Sequence, residues 1–151
     1  MTELCGEATV TIGCSARDVI ELVLDLERYK TVDHKIGKVS SFSRDGDRGT
    51  VHFAGKLRGL PTPRDRQTFE VTDGRHLTFR SIPSRWPGWA ARFEGSFACD
   101  EQTDGTTVVT HRECFHFNPA IGWLVRPILG RWLAADTPLE MARMKAALEA
   151  R

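Results

Sequence analysis

The stretch from Pro119 to Arg151, PAIGWLVRPILGRWLAADTPLEMARMKAALEAR, constrains the fold more than any other part of the chain. Ile121, Leu124, Val125, Ile128 and Trp132 recur at helical spacing, and Ala135, Leu139, Ala142 and Ala146 continue that phase. Leu133, Met141, Met144 and Leu148 form a second apolar strip on roughly the opposite side, at ~100° per residue. A helix that is apolar on two sides needs two sets of contacts, so the preceding residues must wrap it. Thr137-Pro138-Leu139-Glu140 fits an N-cap, an N1 proline and a capping-box glutamate. The apolar phase nevertheless runs through both Pro127 and Pro138, which favours one kinked helix over 119–150.

What precedes the helix reads as a sheet. Ala8, Val10, Ile12 and Cys14 alternate as one face of a strand, and Ser15 with Asp18 makes a capping box for a helix over Ala16–Leu26, with a short turn at Glu27–Tyr29. Helical periodicity then stops. Three strand pairs follow, each joined at an Asp-Gly: Asp45-Gly46, Asp73-Gly74 and Asp104-Gly105. Asp-Gly is a hairpin signal because the turn requires positive φ. The strands are expected near 37–44, 49–58, 65–72, 76–82, 91–100 and 106–117, which gives seven antiparallel strands with the first. In the last hairpin, a loop at Thr103-Asp104-Gly105 sets Phe93 opposite Phe115, Gly95 opposite Glu113, Phe97 opposite His111 and Cys99 opposite Val109. All eight share one face, marked as inner by its apolar members.

The order of elements resembles the START-like, or SRPBCC, helix-grip superfamily, polyketide cyclase/dehydrase-like branch. The resemblance rests on SARDVIELVLDLERY after the first strand, on RFEGSF and DGTTVVTHRECF in the last hairpin, and on the closing LEMARMKAALEA. It covers essentially the whole chain. Lys30 and Val32 depart from the pattern, since many members carry Pro and Trp just after the equivalent of ERY. The resemblance implies an α+β helix-grip fold: a curved seven-stranded antiparallel sheet around the long C-terminal helix, as a single domain over 1–151. It also implies a pocket between sheet and helix. Members bind sterols, lipids, quinones, polyketides or hormones, and a minority are enzymes, so the fold alone does not settle an activity.

Several function classes lose support from composition. A net charge of +1 gives no overall electrostatic footprint for nucleic acid or an anionic membrane. The N-terminus lacks the pattern of a signal peptide, and the apolar stretch 121–135, interrupted by Arg126, Pro127 and Arg131, is too short to span a bilayer. The expectation is a cytoplasmic protein without stable membrane insertion, and a homodimer is left open. Cys5, Cys14, Cys99 and Cys114 form no metal-ligand spacing and read as small buried hydrophobes. No cofactor or metal is expected, and no phosphate loop, HExxH or GxSxG occurs.

His111 and Glu113 are the residues most suggestive of chemistry, leaving one strand face ~6.5–7 Å apart among apolar neighbours. Polar groups there need partners. Either they orient a ligand, with acid and base roles in a cyclisation or dehydration as the catalytic extreme, or they meet scaffold side chains. Expected pocket walls are Phe53, Phe69, Phe79, Phe93, Phe97, Phe115, Ile128 and Trp132. Trp86 and Trp89 suit a cavity mouth, or fold back on the helix. The arginines from Arg64 to Arg92 read as a solvated outer face. The resulting expectation is a non-catalytic binder or carrier of an apolar or amphipathic molecule, such as a lipid, sterol, quinone or polyketide. The alternatives are a cyclase or dehydratase using His111 and Glu113, and a protein-interaction module with a filled core.

Overall fold

The computed structural model describes residues 2–85 and 90–150. Trp86 and Trp89 lie outside the described residues. The chain runs β1 (Thr2–Ile12), α1 (Ala16–Leu24), α2 (Leu26–Tyr29), β2 (Ile36–Asp45), β3 (Arg48–Leu57), β4 (Leu60–Thr72), β5 (His76–Ser81), β6 (Ala91–Glu101), β7 (Thr107–Phe117) and α3 (Pro119–Glu149). The seven strands form one antiparallel sheet in the order β1-β7-β6-β5-β4-β3-β2. It is curved, with register shifts in the β2–β3 and β3–β4 ladders, and α3 lies along its β1–β7 side. This is the helix-grip α+β fold.

Local chemistry sets the element ends. The Ser15 hydroxyl accepts from the Asp18 N–H, and the Ser15 N–H donates to the Asp18 carboxylate, completing the capping box of α1. Asp25 ends α1 and caps α2. Asn118 caps α3 through Ala120 N, with Pro119 at a position whose N–H would go unused. The helix continues through Pro127 and Pro138, so Thr137 and Glu140 stand inside it rather than at a second start.

All three Asp-Gly turns join hairpins. A fourth, at Arg58-Gly59, was not expected; both residues have positive φ (54° and 80°). It connects β3 directly to β4 and extends β4 back to Leu60, through Pro61 and Pro63. The β6–β7 register pairs Phe93 with Phe115, Gly95 with Glu113, Phe97 with His111 and Cys99 with Val109, as the loop count predicts.

Two corrections concern α3 and the cysteines. The inward side of α3 is the strip of Leu133, Met141, Met144 and Leu148, continued by Asp136, Thr137 and Glu140. Ile128, expected as a pocket wall, is 58% exposed, as are Leu124 (69%) and Leu139 (56%). The other strip is fully buried nowhere, with Ile121, Val125 and Trp132 half-buried and the rest exposed, and periodicity alone could not rank the two sides. Cys5 and Cys114 face each other across β1–β7 and form a disulfide, rather than being separate buried thiols. Cys99 is a buried thiol whose pKa burial pushes up to about 12.

Gly6 and Gly122 let α3 approach the sheet. A Cβ on Gly6 would stand 2.2 Å from Thr137 Oγ1, and one on Gly122 would stand 2.3 Å from Thr2 Cβ. Apolar packing then divides into two regions. One joins the sheet to α1, α2 and the C-terminal half of α3. The other gathers Leu4, Phe117, Leu129 and Leu133 with Leu57, Ala91, Ile121 and Val125 at the opposite end.

Candidate functional site

A cavity of about 280 Å³ lies between the concave sheet and the helices. Phe53, Phe79, Phe93, Phe97 and Phe115 line it, with Val23, Leu26, Ile36 and Val51 from the helical end. An apolar surface of this kind favours apolar occupants because water gains few hydrogen bonds there. The interaction-module alternative required a filled core, and the cavity removes that condition. Of the other expected walls, Phe69 is buried in a ring series with Phe42 and Phe79. Trp132 is half-buried in the second apolar region, its ring 6.0 Å from Lys35 Nζ. Neither is among the lining residues, nor is Ile128.

Besides Lys56, Thr62 and Arg92, two clusters of polar groups reach the cavity. Asp65, Gln67 and Ser81 form the smaller group, closed by its own hydrogen bonds: Gln67 Nε2 and Ser81 Oγ both donate to Asp65 Oδ2, at 2.7 and 3.0 Å. The Phe93 N–H donates to Ser81 Oγ. The larger group presents Tyr29, Asp33, Lys35 and His111 to the cavity. Behind them stand Glu113, Asp136, Thr137 and Glu140, which are all buried.

Lys35 is the hub. Its Nζ lies 2.8 Å from Asp33 Oδ1, 2.8 Å from Glu140 Oε2, 3.1 Å from Glu113 Oε2 and 3.7 Å from Asp136 Oδ2. Tyr29 Oη donates to Glu140 Oε1 at 2.5 Å. Thr137 Oγ1 lies 2.9 Å from Glu113 Oε1 and 2.8 Å from Leu133 O. That approach depends on the missing side chain of Gly6, which pairs with Glu113 across the β1–β7 ladder. Arg143 holds Asp136 at 3.3 Å and also donates to Val32 O.

His111 is fixed by its neighbours. Its Nδ1 is 2.9 Å from Ser96 O, so that nitrogen carries a proton, since a carbonyl only accepts. The ring stacks on Phe97 with centroids 4.1 Å apart. Nε2 faces Glu140 Oε1 at 3.4 Å and Glu113 Oε2 at 3.7 Å, and has no hydrogen-bond partner among the described residues.

These contacts set the protonation states. Burial opposes charge on Lys35, but Asp33, Glu140 and Glu113 outweigh it and hold the ammonium well above the ordinary lysine value. Burial raises Glu113, yet His111 and Lys35 pull it down to about 2. Burial, then Asp33, push Glu140 up to about 7 against Lys35 and His111. Burial opposes charge on His111 as well, and Glu140 and Glu113 raise it. Burial, followed by Glu140 and Asp33, lifts Tyr29 well above the ordinary value. Glu113 is thus a fixed anion, Glu140 keeps its proton up to about 7, and His111 holds its proton more tightly than an ordinary histidine. His111, Glu113 and Glu140 bring metal-ligand atoms within 4.8 Å of one another. The Lys35 ammonium bridges both carboxylates and supplies the positive charge a cation would bring.

Sequence reasoning missed most of this group. Asp136, Thr137 and Glu140 do recur in phase with Leu133, Met141, Met144 and Leu148, which marks polar residues on a buried face. Tyr29, Asp33 and Lys35 sit in α2 and the turn after it, with no periodic signal to mark them.

The family model described as "Polyketide cyclase / dehydrase and lipid transport" matches residues 4–149. The fold is similar to that of a Streptomyces aromatase/cyclase, Zhui (15% identity, TM-score 0.77, covering 99% of this chain and 95% of that one). It is also similar to a START superfamily protein from Mycobacterium smegmatis (14% identity, TM-score 0.70, 97% and 98% covered). A truncated norcoclaurine synthase from Thalictrum flavum shares it too (12% identity, TM-score 0.65, 97% and 94% covered). No curated protein matches the sequence. No helix among the described residues is long and apolar enough to cross a membrane.

Proposed function

The chain belongs to the polyketide cyclase/dehydrase and lipid-transport family, and from that premise we propose that it binds a largely apolar small molecule in its internal cavity. The carrying observation is the phenylalanine-lined space of about 280 Å³ with Tyr29, Asp33, Lys35 and His111 at its polar wall. An occupant of lipid, quinone or polyketide type places its apolar body against the phenylalanines. A carbonyl or hydroxyl on it accepts from the ammonium or the imidazolium. The anchors are His111 and Lys35, with Glu113 holding both in place from behind.

The test is a titration of delipidated protein with an apolar naphthalene fluorophore. Saturable binding is expected, weakened at least about tenfold by Ile36→Trp, which fills the cavity. Absence of saturable binding, or binding indifferent to Ile36→Trp, sinks the proposal.

One observation favours a second, catalytic reading. His111 is both a wall residue and a neighbour of Glu140, whose carboxyl titrates at about 7. That arrangement suits proton transfer to or from a bound carbonyl compound, as cyclisation or dehydration requires. With a turned-over substrate in hand, unchanged turnover in His111→Ala would dismiss it.

A further inference from the structure

The near-zero net charge of the whole chain conceals a segregated one. The stretch 53–64 holds Lys56, Arg58 and Arg64 with no Asp or Glu, and 118–135 holds Arg126 and Arg131 with none. These two stretches meet at one end of the molecule. Leu57, at the tip of the β3–β4 hairpin, packs in the same apolar region as Ile121 and Val125 of α3. Leu57, Ile121 and Lys56 also line the cavity, so this is a cavity end.

Four large apolar side chains project from this end: Leu60 at the hairpin tip (70% exposed), and Trp123 (80%), Leu124 (69%) and Ile128 (58%) on α3. Side chains that exposed stand clear of their neighbours rather than walling a groove, and they come from two separate elements. Lys56, Arg58, Arg64, Arg126 and Arg131 are exposed and have no acidic partner among the described residues. Asp65, next to Arg64, accepts from Gln67 and Ser81 instead, Glu3 faces Arg112 and His116, and Glu94 faces Arg80 and His116.

We propose that this end of the molecule, formed by the β3–β4 hairpin tip and the outer face of the first half of α3, docks peripherally on an anionic lipid bilayer. The cations match the charge of the headgroups, and a tryptophan with three aliphatic side chains suits shallow insertion between them. Docking there faces the cavity end towards the lipid. No span of the bilayer is involved, and the proposal stands whether or not the cavity is loaded.

Flotation with vesicles decides it. The probes are phosphatidylcholine vesicles with and without about one third phosphatidylglycerol, whose surface potential is what the cations read. Delipidated protein is expected to float with the anionic vesicles only, and to be released by salt as the Debye length shrinks from ~10 Å at 0.1 M to ~3 Å at 1 M. Each basic residue near an anionic leaflet multiplies partitioning by about fivefold, so Arg58→Glu/Arg131→Glu should lose at least ~25-fold. Trp123→Ala should weaken binding as well. Arg75→Glu, at the β4–β5 turn on the other end, should leave it unchanged. Equal flotation with both vesicle types, none with either, or anionic binding untouched by the double substitution would overturn the proposal. So would a chain that ignores vesicles but sediments as a dimer that Trp123→Ala dissociates.

Discussion

Replacing Lys35 with Met removes the ammonium that four carboxylates share while keeping most of the aliphatic stem. The distances of 2.8, 2.8 and 3.1 Å to Asp33, Glu140 and Glu113 make it the principal counter-charge of a buried cluster. Removing one partner from a buried ion pair costs about 3–5 kcal/mol, because the other charge stays behind. The protein has one escape, which is to protonate a carboxyl. That costs about 1.36 kcal/mol for each pH unit above the group's ordinary value. For a glutamate with an ordinary value of 4.5, the cost is roughly 5 kcal/mol at about pH 8 and under ~1 kcal/mol at about pH 5. The destabilisation of Lys35→Met should therefore be about 3–5 kcal/mol near pH 8 and shrink to about 1 kcal/mol near pH 5. Urea unfolding of both proteins at the two pH values, followed by circular dichroism, reads this directly. A loss under ~1 kcal/mol at both, or a larger loss in acid, would refute the reasoning that Lys35 is the counter-charge.

Glu140, raised to about 7, keeps a proton that the unfolded chain releases, so its contribution is complete below its ordinary 4.5 and is lost as pH rises through 7. His111 is also raised and moves stability the same way above its ordinary 6.5, whereas Glu113, lowered to about 2, costs stability only as pH falls below 4.5. Thermal stability should thus peak in mild acid, and Glu140→Gln should flatten the descent between about pH 5 and about pH 8 by about 1–3 kcal/mol; an unaltered descent contradicts the assignment. Gly6→Ala should cost about 1–3 kcal/mol, because its Cβ meets Thr137 Oγ1, while Gly13→Ala, with only an ordinary contact at 3.6 Å, should be nearly neutral; equal effects would discount the close approach. Cys5→Ser should lose about 2–4 kcal/mol, since the disulfide closes a separation of 109 residues; alkylation of Cys5 in unreduced wild type would instead show the bond unformed.

The topology was readable because each hairpin carries its own instruction. Asp45-Gly46, Asp73-Gly74 and Asp104-Gly105 supply positive φ at the turns, and a three-residue loop then sets the β6–β7 register. Arg58-Gly59 escaped notice because arginine is an unusual occupant of that conformation, and the prolines at 61 and 63 argued against a strand beginning at Leu60. The inner phenylalanines followed from alternation, and five of them line the cavity. The faces of α3 did not follow. Both strips are apolar, and what separates them is that the buried one also carries Asp136, Thr137 and Glu140. A sequence reading prefers the strip without charges, whereas the fold buries the strip whose charges meet Lys35. Partnership of that kind joins residues over 100 positions apart, as Lys35 to Glu140, and leaves no periodic trace. The disulfide is similar, since β1–β7 pairing of Cys5 with Cys114 depends on closure of the whole sheet.

The central claim is that the cavity holds an apolar molecule, and native mass spectrometry of freshly purified protein beside a delipidated sample tests it most directly. A reproducible extra mass in the fresh sample, lost on delipidation and identified as an apolar or amphipathic compound, is the predicted result. A clean apo mass in both samples, together with no uptake of apolar compounds by the delipidated protein, would contradict it.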